Sequence, residues 1–167
     1  AVAKYNMPMI GADASLVLCF RDEYVKTLGT EKTQFRVSTI TEWIDVNAAQ
    51  LNQRLDLDAS VNYKLLAHCS EKTALPETEK TWQRVFTQLG LSLDIVPVGC
   101  CGMAGTYGHE AEHYDNAKGI YNLSWAQHTQ GVRSEQILVT GYSCRSQVKR
   151  FENYRPKHPI EVLADLL

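Results

Sequence analysis

The chain has no long apolar run, no excess of either charge and no leader-like start. Its longest apolar stretches are about strand length, short of the ~20 residues that a membrane-spanning helix requires. The formal net charge of −2 argues against a nucleic-acid surface, which shows a basic excess or stripe. Ala1 to Ile10 lack the basic segment and apolar core of a secretory signal. No internal repeat, low-complexity tract or clear linker interrupts the sequence. The cysteines number five, an odd count, whereas a secreted disulfide scaffold pairs evenly in a smaller, loop-rich chain. A reducing, cytoplasmic setting is expected instead, and clustered cysteines there point to metal or redox chemistry.

What is present suits one ordinary domain. The 167 residues are 44% hydrophobic and 22% charged, enough for a full core. The chain begins at Ala1 rather than Met, which is read as an excised piece of a longer protein. Strands are expected at Leu16–Phe20, Phe35–Ile40, Tyr63–Ala67, Leu93–Val98 and Ile137–Thr140. Helices are expected at Arg21–Leu28 before Gly29, after a Thr41 cap through Leu55, at Pro76–Leu89 and at Glu110–His128. Short helices follow at Ser146–Phe151 and Pro159–Leu166, and Lys149 to His158 reads as the least structured stretch. Strands alternating with helices imply an α/β fold: a mostly parallel sheet flanked by helices. In such sheets the functional site forms beyond the carboxyl ends of the strands.

The densest chemistry lies in Gly99-Cys100-Cys101-Gly102-Met103-Ala104-Gly105. Adjacent cysteines bond poorly to each other, because the short ring strains disulfide geometry. They can offer two thiolates to one metal centre. Cys69 and Cys144 also fall just after expected strands. Three loops can therefore bring Cys69, Cys100, Cys101 and Cys144 to one sheet edge, a set that iron–sulfur clusters and zinc both accept. Gly99, Gly102 and Gly105 let the backbone turn tightly and approach a bulky centre. The following helix is expected to aim its positive end at the thiolates. Cys19, inside an apolar run, reads as structural.

A second motif sits nearby. His109-Glu110-Ala111-Glu112-His113 matches the H-E-x-x-H pattern of zinc hydrolases, where a helix puts both histidines on one face. Three features weigh against that reading. The segment follows a Gly-rich thiolate loop at a helix start. A parallel α/β sheet does not suit a zincin. No third ligand stands out beyond the generic His128 and Glu135. His68, His109 and His113 remain further candidates for the metal or its surroundings, since histidine replaces cysteine in some clusters.

Together these segments carry a family resemblance. Gly99-Cys100-Cys101-Gly102, with Cys69 upstream and Cys144 downstream, resembles the cysteine-rich CCG domain found in heterodisulfide reductases and in the iron–sulfur component of glycolate oxidase. Cys19-Phe20-Arg21-Asp22-Glu23-Tyr24, His68-Cys69-Ser70-Glu71-Lys72, Cys100 through Glu110 and Thr140 through Gln147 look like the C-terminal end of large bacterial FAD-linked oxidases with iron–sulfur domains, of the D-2-hydroxyacid dehydrogenase type. The resemblance implies a single domain over residues 1–167 that relays electrons from a flavin to an external acceptor. It implies a [4Fe–4S] cluster here, FAD only in the missing N-terminal part, and flavin and ferredoxin-like domains of the same parent chain as partners. The parent is expected in the cytoplasm or peripheral to the inner membrane. The family's pattern ends in Cys-x-x-Cys, but Gln147 stands at its last position. Four ligands rather than five therefore favour one simple centre. The alternatives are a zinc-binding or metal-free docking module and a thiol–disulfide redox domain.

Overall fold

The computed structural model describes residues 7–33, 36–51 and 61–167. The expected strand start at Phe35 and the helix end at Leu55 lie outside the described residues. Three strands, β3 (Asn62–Leu66), β4 (Ser92–Ile95) and β5 (Ile137–Val139), form a parallel sheet in the order β4-β3-β5. Leu65 pairs with Ile95 on one side and with Leu138 on the other. A separate parallel pair joins β1 (Met9–Gly11) to β2 (Val37–Thr39). The α/β class and the parallel sheet flanked by helices are as the alternation of apolar runs and helical patterns implied.

The central sheet is covered on both faces, as parallel sheets require. Successive strand side chains point to opposite faces. Tyr63, Leu65, Leu93 and Leu138 enter a core with Ile44 of α3 (Ile40–Leu51), Trp82, Val85 and Phe86 of α5 (Thr78–Gln88), and Val162 and Leu163 of α9 (Pro159–Asp165). Leu66, Ile137 and Val139 enter the other core. There they meet Tyr121 of α6 (Tyr114–Ser124), Ala126 of α7 (Ala126–Thr129) and Val148 of α8 (Tyr142–Glu152). Cys101, Met103 and Cys144 belong to this second core, so the thiol loop is part of the packing.

The structure corrects several local expectations. Leu16–Phe20 is not a strand. Asp13 caps α1 (Ala14–Leu18), its carboxylate accepting from the Ser15 N–H at 2.9 Å and the Leu16 N–H at 3.3 Å. The turn continues as a π-helical Cys19–Glu23 into α2 (Tyr24–Leu28), which ends at Gly29 with φ of 81°. Val17 is buried while Leu16 is exposed: one helical face is apolar, not a strand's alternate positions. The cap of α3 is Thr39, not Thr41. Thr39 Oγ1 accepts from the Glu42 N–H at 3.2 Å, and Glu42 accepts from the Thr39 N–H at 2.9 Å, a reciprocal capping box. A helix missing from the sequence reading, α4 (Cys69–Ala74), follows β3 directly. Lys149–His158 is ordered: α8 runs to Glu152, Asn153 caps it with φ of 59°, and the Val139 N–H donates to the Lys157 carbonyl at 3.0 Å. Among the described residues no helix is long and apolar enough to cross a membrane.

His158 opens α9. Its Nδ1 accepts from the Ile160 N–H at 3.1 Å, and Glu161 accepts from the His158 N–H at 2.6 Å. Its ring packs edge-on against Trp82. Burial, and then the Arg145 charge, depress its pKa to about 4, against smaller opposing effects of Glu161 and Asp13. The neutral ring is therefore the folded form. The unfolded chain binds its proton near the ordinary histidine pKa of about 6.5, so stability falls as pH drops from there toward 4. Urea unfolding at pH 7.5 and pH 5 should show that loss, on the order of 1–3 kcal/mol after allowing for relaxation. The variant His158→Asn keeps a capping side chain and should flatten this part of the pH dependence.

Candidate metal centre

Each thiol owes its place to a strand end. Cys69 is the first residue of α4, three residues after β3 ends at Leu66. Val96 and Val98 extend β4 as buried chain and deliver Cys100 and Cys101. Cys144 lies in the first turn of α8, just beyond β5. Because β4, β3 and β5 are parallel neighbours, all three exits share one edge. The four thiols form an electrostatically linked ring: Cys100 feels the charge of Cys69 and Cys101, and Cys144 that of Cys101 and Cys69. Cys101 and Cys144 are buried, Cys69 is half-buried and Cys100 is exposed. The ring is thus open to solvent on one side. Cys19 stays apart, its thiol donating to Glu23 at 3.3 Å.

The thiols do not share negative charge evenly. Cys144 holds a proton toward Cys101, which lowers the Cys101 pKa, while the Met103 N–H also favours the Cys101 thiolate. The same shared proton, reinforced by burial, pushes the Cys144 pKa far upward. Burial raises Cys100, opposed by the Gly102 N–H, which donates to its sulfur at 3.3 Å. Without a cation the ring can carry only part of its charge, because each further thiolate repels those already present. A metal centre removes that limit, since ligation takes the deprotonated form.

The glycines act differently from one another. Gly102 has φ of 84°, and a Cβ there would lie 2.3 Å from the Ala117 carbonyl oxygen. Only glycine lets α6 approach this closely behind Cys101. Gly105 has φ of 69° with open space around it, so it serves the turn alone. Gly99 is tied to the second core: its N–H donates to Ser124 Oγ at 3.1 Å, and its carbonyl accepts from Trp125 Nε1 at 3.0 Å.

The histidines stand differently from a ligand shell. His68 Nδ1 lies 3.3 Å from Ser15 Oγ, and its Nε2 lies 3.3 Å from Ser143 Oγ. Its ring fills the space that a Cβ on Gly141 would take, 2.5 Å from Cδ2. His68 thus wedges between α1 and α8 beside Cys69. The expected helix from Glu110 to His128 is broken at its start. Residues Tyr107–His109 and Ala111–His113 form separate 3₁₀ turns, with Glu110 extended between them at ψ of 133°. Gly108 causes the break: its N–H donates to the Met103 carbonyl at 2.8 Å, and Arg150 holds its carbonyl. His109 and His113 therefore share no helical face, and the geometry of a two-histidine hydrolase site is not formed. His113 stacks on Tyr107 at 3.8 Å and lies 3.0 Å from Glu110. With α6 beginning only at Tyr114, the helix starts beside the thiols are those of α4 and α8.

Sequence reasoning missed the supports beneath the ring. Glu71 is buried and accepts from Thr78 Oγ1 at 2.6 Å and Thr140 Oγ1 at 2.5 Å. Thr140 Oγ1 in turn accepts from the His68 N–H at 3.0 Å. Lys72 Nζ donates to the Val98 carbonyl at 2.5 Å. These bonds tie the exits of β3, β4 and β5 together. The local signal was the Glu71 and Lys72 pair directly after Cys69, but their partners are remote in sequence.

Comparison with known proteins adds homology. The chain is 45% identical over 166 residues to D-2-hydroxyglutarate dehydrogenase of Escherichia coli strain K12, covering 99% of this chain and 16% of that protein. It is 41% identical over 164 residues to the Pseudomonas putida protein of the same name, covering 98% of this chain and again 16% of the relative. It is 25% identical over 171 residues to one of the subunits of the anaerobic glycerol-3-phosphate dehydrogenase of E. coli, across 42% of that protein. The chain thus spans less than half the length of the curated relatives it matches. No family model and no solved structure matches it.

The two glycines give a direct test of the close approach at the ring. Gly102→Ala is expected to lower stability by about 1–3 kcal/mol from its backbone conformation, and further through the clash with Ala117. Gly105→Ala should incur the backbone effect alone. Chemical denaturation of the two variants side by side reads the difference.

Proposed function

We propose that the chain, residues 1–167, is a single cysteine-rich CCG-type domain of a larger flavin-linked 2-hydroxyacid oxidoreductase. In this reading Cys69, Cys100, Cys101 and Cys144 are the ligands of one iron–sulfur cluster, of the [4Fe–4S] type. The observation that carries the proposal is the ring of four thiols built from three parallel strand ends.

The donor set fits the group. Thiolates are the soft ligands that iron–sulfur clusters and zinc select. The cysteine pattern, with its resemblance to iron–sulfur domains, favours the cluster over zinc. A cluster held there supplies a carrier of single electrons.

The protein's residues do the rest. Cys101 and Cys144, packed in the second core, fix the inner side of the centre. Cys100 and Cys69 lie on its solvent side, where a partner can approach. The Gly102 N–H already donates to the Cys100 sulfur, and such bonds favour the charged form. The names of the relatives support the parent reaction. In that reading a flavin bound elsewhere in the parent chain would supply the two-electron oxidation of the substrate, and this domain would pass the electrons one at a time to an external acceptor.

Anaerobic reconstitution of the chain with iron and sulfide should give a broad visible absorbance that dithionite bleaches, with about four irons bound per chain for this cluster type. Cys100→Ser and Cys101→Ser should each abolish it. A colourless product without iron, or one that takes up only zinc from a mixture, overturns the reading.

A further inference from the structure

Gln147 has no task in the fold. It lies on α8 one turn beyond Cys144, so the two share a helix face. Its side chain is 0% exposed, yet both Oε1 and Nε2 lack a hydrogen-bond partner among the described residues. Buried amides are paired as a rule, and one left without partners destabilises the chain that holds it. Its surroundings offer no relief. Val148 and Cys144 on the same helix, and Met103 next to Gly102, belong to the apolar second core. Nε2 lies 3.2 Å from the place of a Cβ on Gly102, the residue directly after Cys101. The amide is therefore held against the thiol loop, between Cys144 on its own helix and Cys101 on the facing chain. A water molecule would need two to four polar partners, and the neighbours here are mostly apolar. A group held by the thiolates would instead present acceptor sulfurs and no donors.

We propose that Gln147 is a positioning residue of the centre, its Nε2 donating a hydrogen bond to a sulfur of the group that the four cysteines bind. The inference rests on the cluster reading and adds a residue to it that supplies no ligand atom. The bond strengthens when an added electron makes the sulfurs more negative, so it favours the reduced state and raises the reduction potential. Without the bound group the same amide is unpaired. Gln147 therefore acts with opposite sign in the two states: it weakens the empty chain and holds the loaded one.

The test compares the wild-type chain with Gln147→Met, which keeps length and removes both polar ends. Gln147→Leu serves as a second apolar variant in case the first packs badly. Thermal melting of the metal-free chain should move upward in the variants. After anaerobic iron and sulfide reconstitution, dye-coupled redox titration should show a lower midpoint potential. A tenfold change in the ratio of reduced to oxidised centre corresponds to 59 mV for a one-electron couple, and a shift of that order is expected. Unchanged potentials with iron bound overturn the role of Gln147 and leave the cluster reading standing. Lower melting of both metal-free variants overturns it too, since the amide would then be paired within the protein. A wild-type chain that binds no iron overturns both.

Discussion

Parallel pairing of β3 with β4 on one side and β5 on the other is the constraint on which the molecule depends. Parallel neighbours end at the same edge, so three chain segments distant in sequence leave the sheet together. Each exit carries thiol chemistry: Cys69, then Cys100 with Cys101, then Cys144. Had one strand run the other way, its cysteine would sit at the opposite edge, a strand length away. The buried faces of the sheet lock this arrangement. Leu65 and Leu66, adjacent in sequence, enter opposite cores, and a one-residue slip of β3 would exchange them.

The edge is braced before it is functional. Glu71, Thr78, Thr140 and the His68 backbone form one chain of hydrogen bonds, and Lys72 holds Val98. These contacts set the separation of the exits with groups that do not themselves face the ring. The bracing has a counterpart in tension. Four thiols share one edge, Gly102 admits a backbone contact that no side chain permits, and Gln147 is buried without a partner among the described residues. Local rules broken together at one place, within otherwise consistent packing, are what a functional site would show. Much of that tension would ease with a cationic centre among the thiolates.

The homology and the geometry meet at different levels. Similarity to the D-2-hydroxyglutarate dehydrogenases runs along nearly the whole chain but over a small part of those proteins. The geometry sets Cys69, Cys100, Cys101 and Cys144 at one sheet edge, with Cys100 exposed, and breaks the His109–His113 segment into turns.

The sequence by itself determined the strands β3, β4 and β5 and the helices α5 and α9. Their apolar periodicity and bounding Pro, Gly and cap residues are local properties. It also put Cys69, Cys100, Cys101 and Cys144 just after strands, and the strand ends of a parallel sheet share one edge. Other features were written locally but overlooked, such as the Thr39 and Glu42 capping box and the Asp13 cap that turns Leu16–Leu18 into helix. Only the tertiary structure decided the rest. The His109–His113 segment breaks into turns because Gly108 packs on Met103 and is held by Arg150. His68 is drawn to two serines from separate helices. Gln147 changes from a gap in a cysteine pattern to an unpaired amide against the thiol loop. Each of these outcomes depends on partners tens of residues away, and no local propensity encodes a contact of that range.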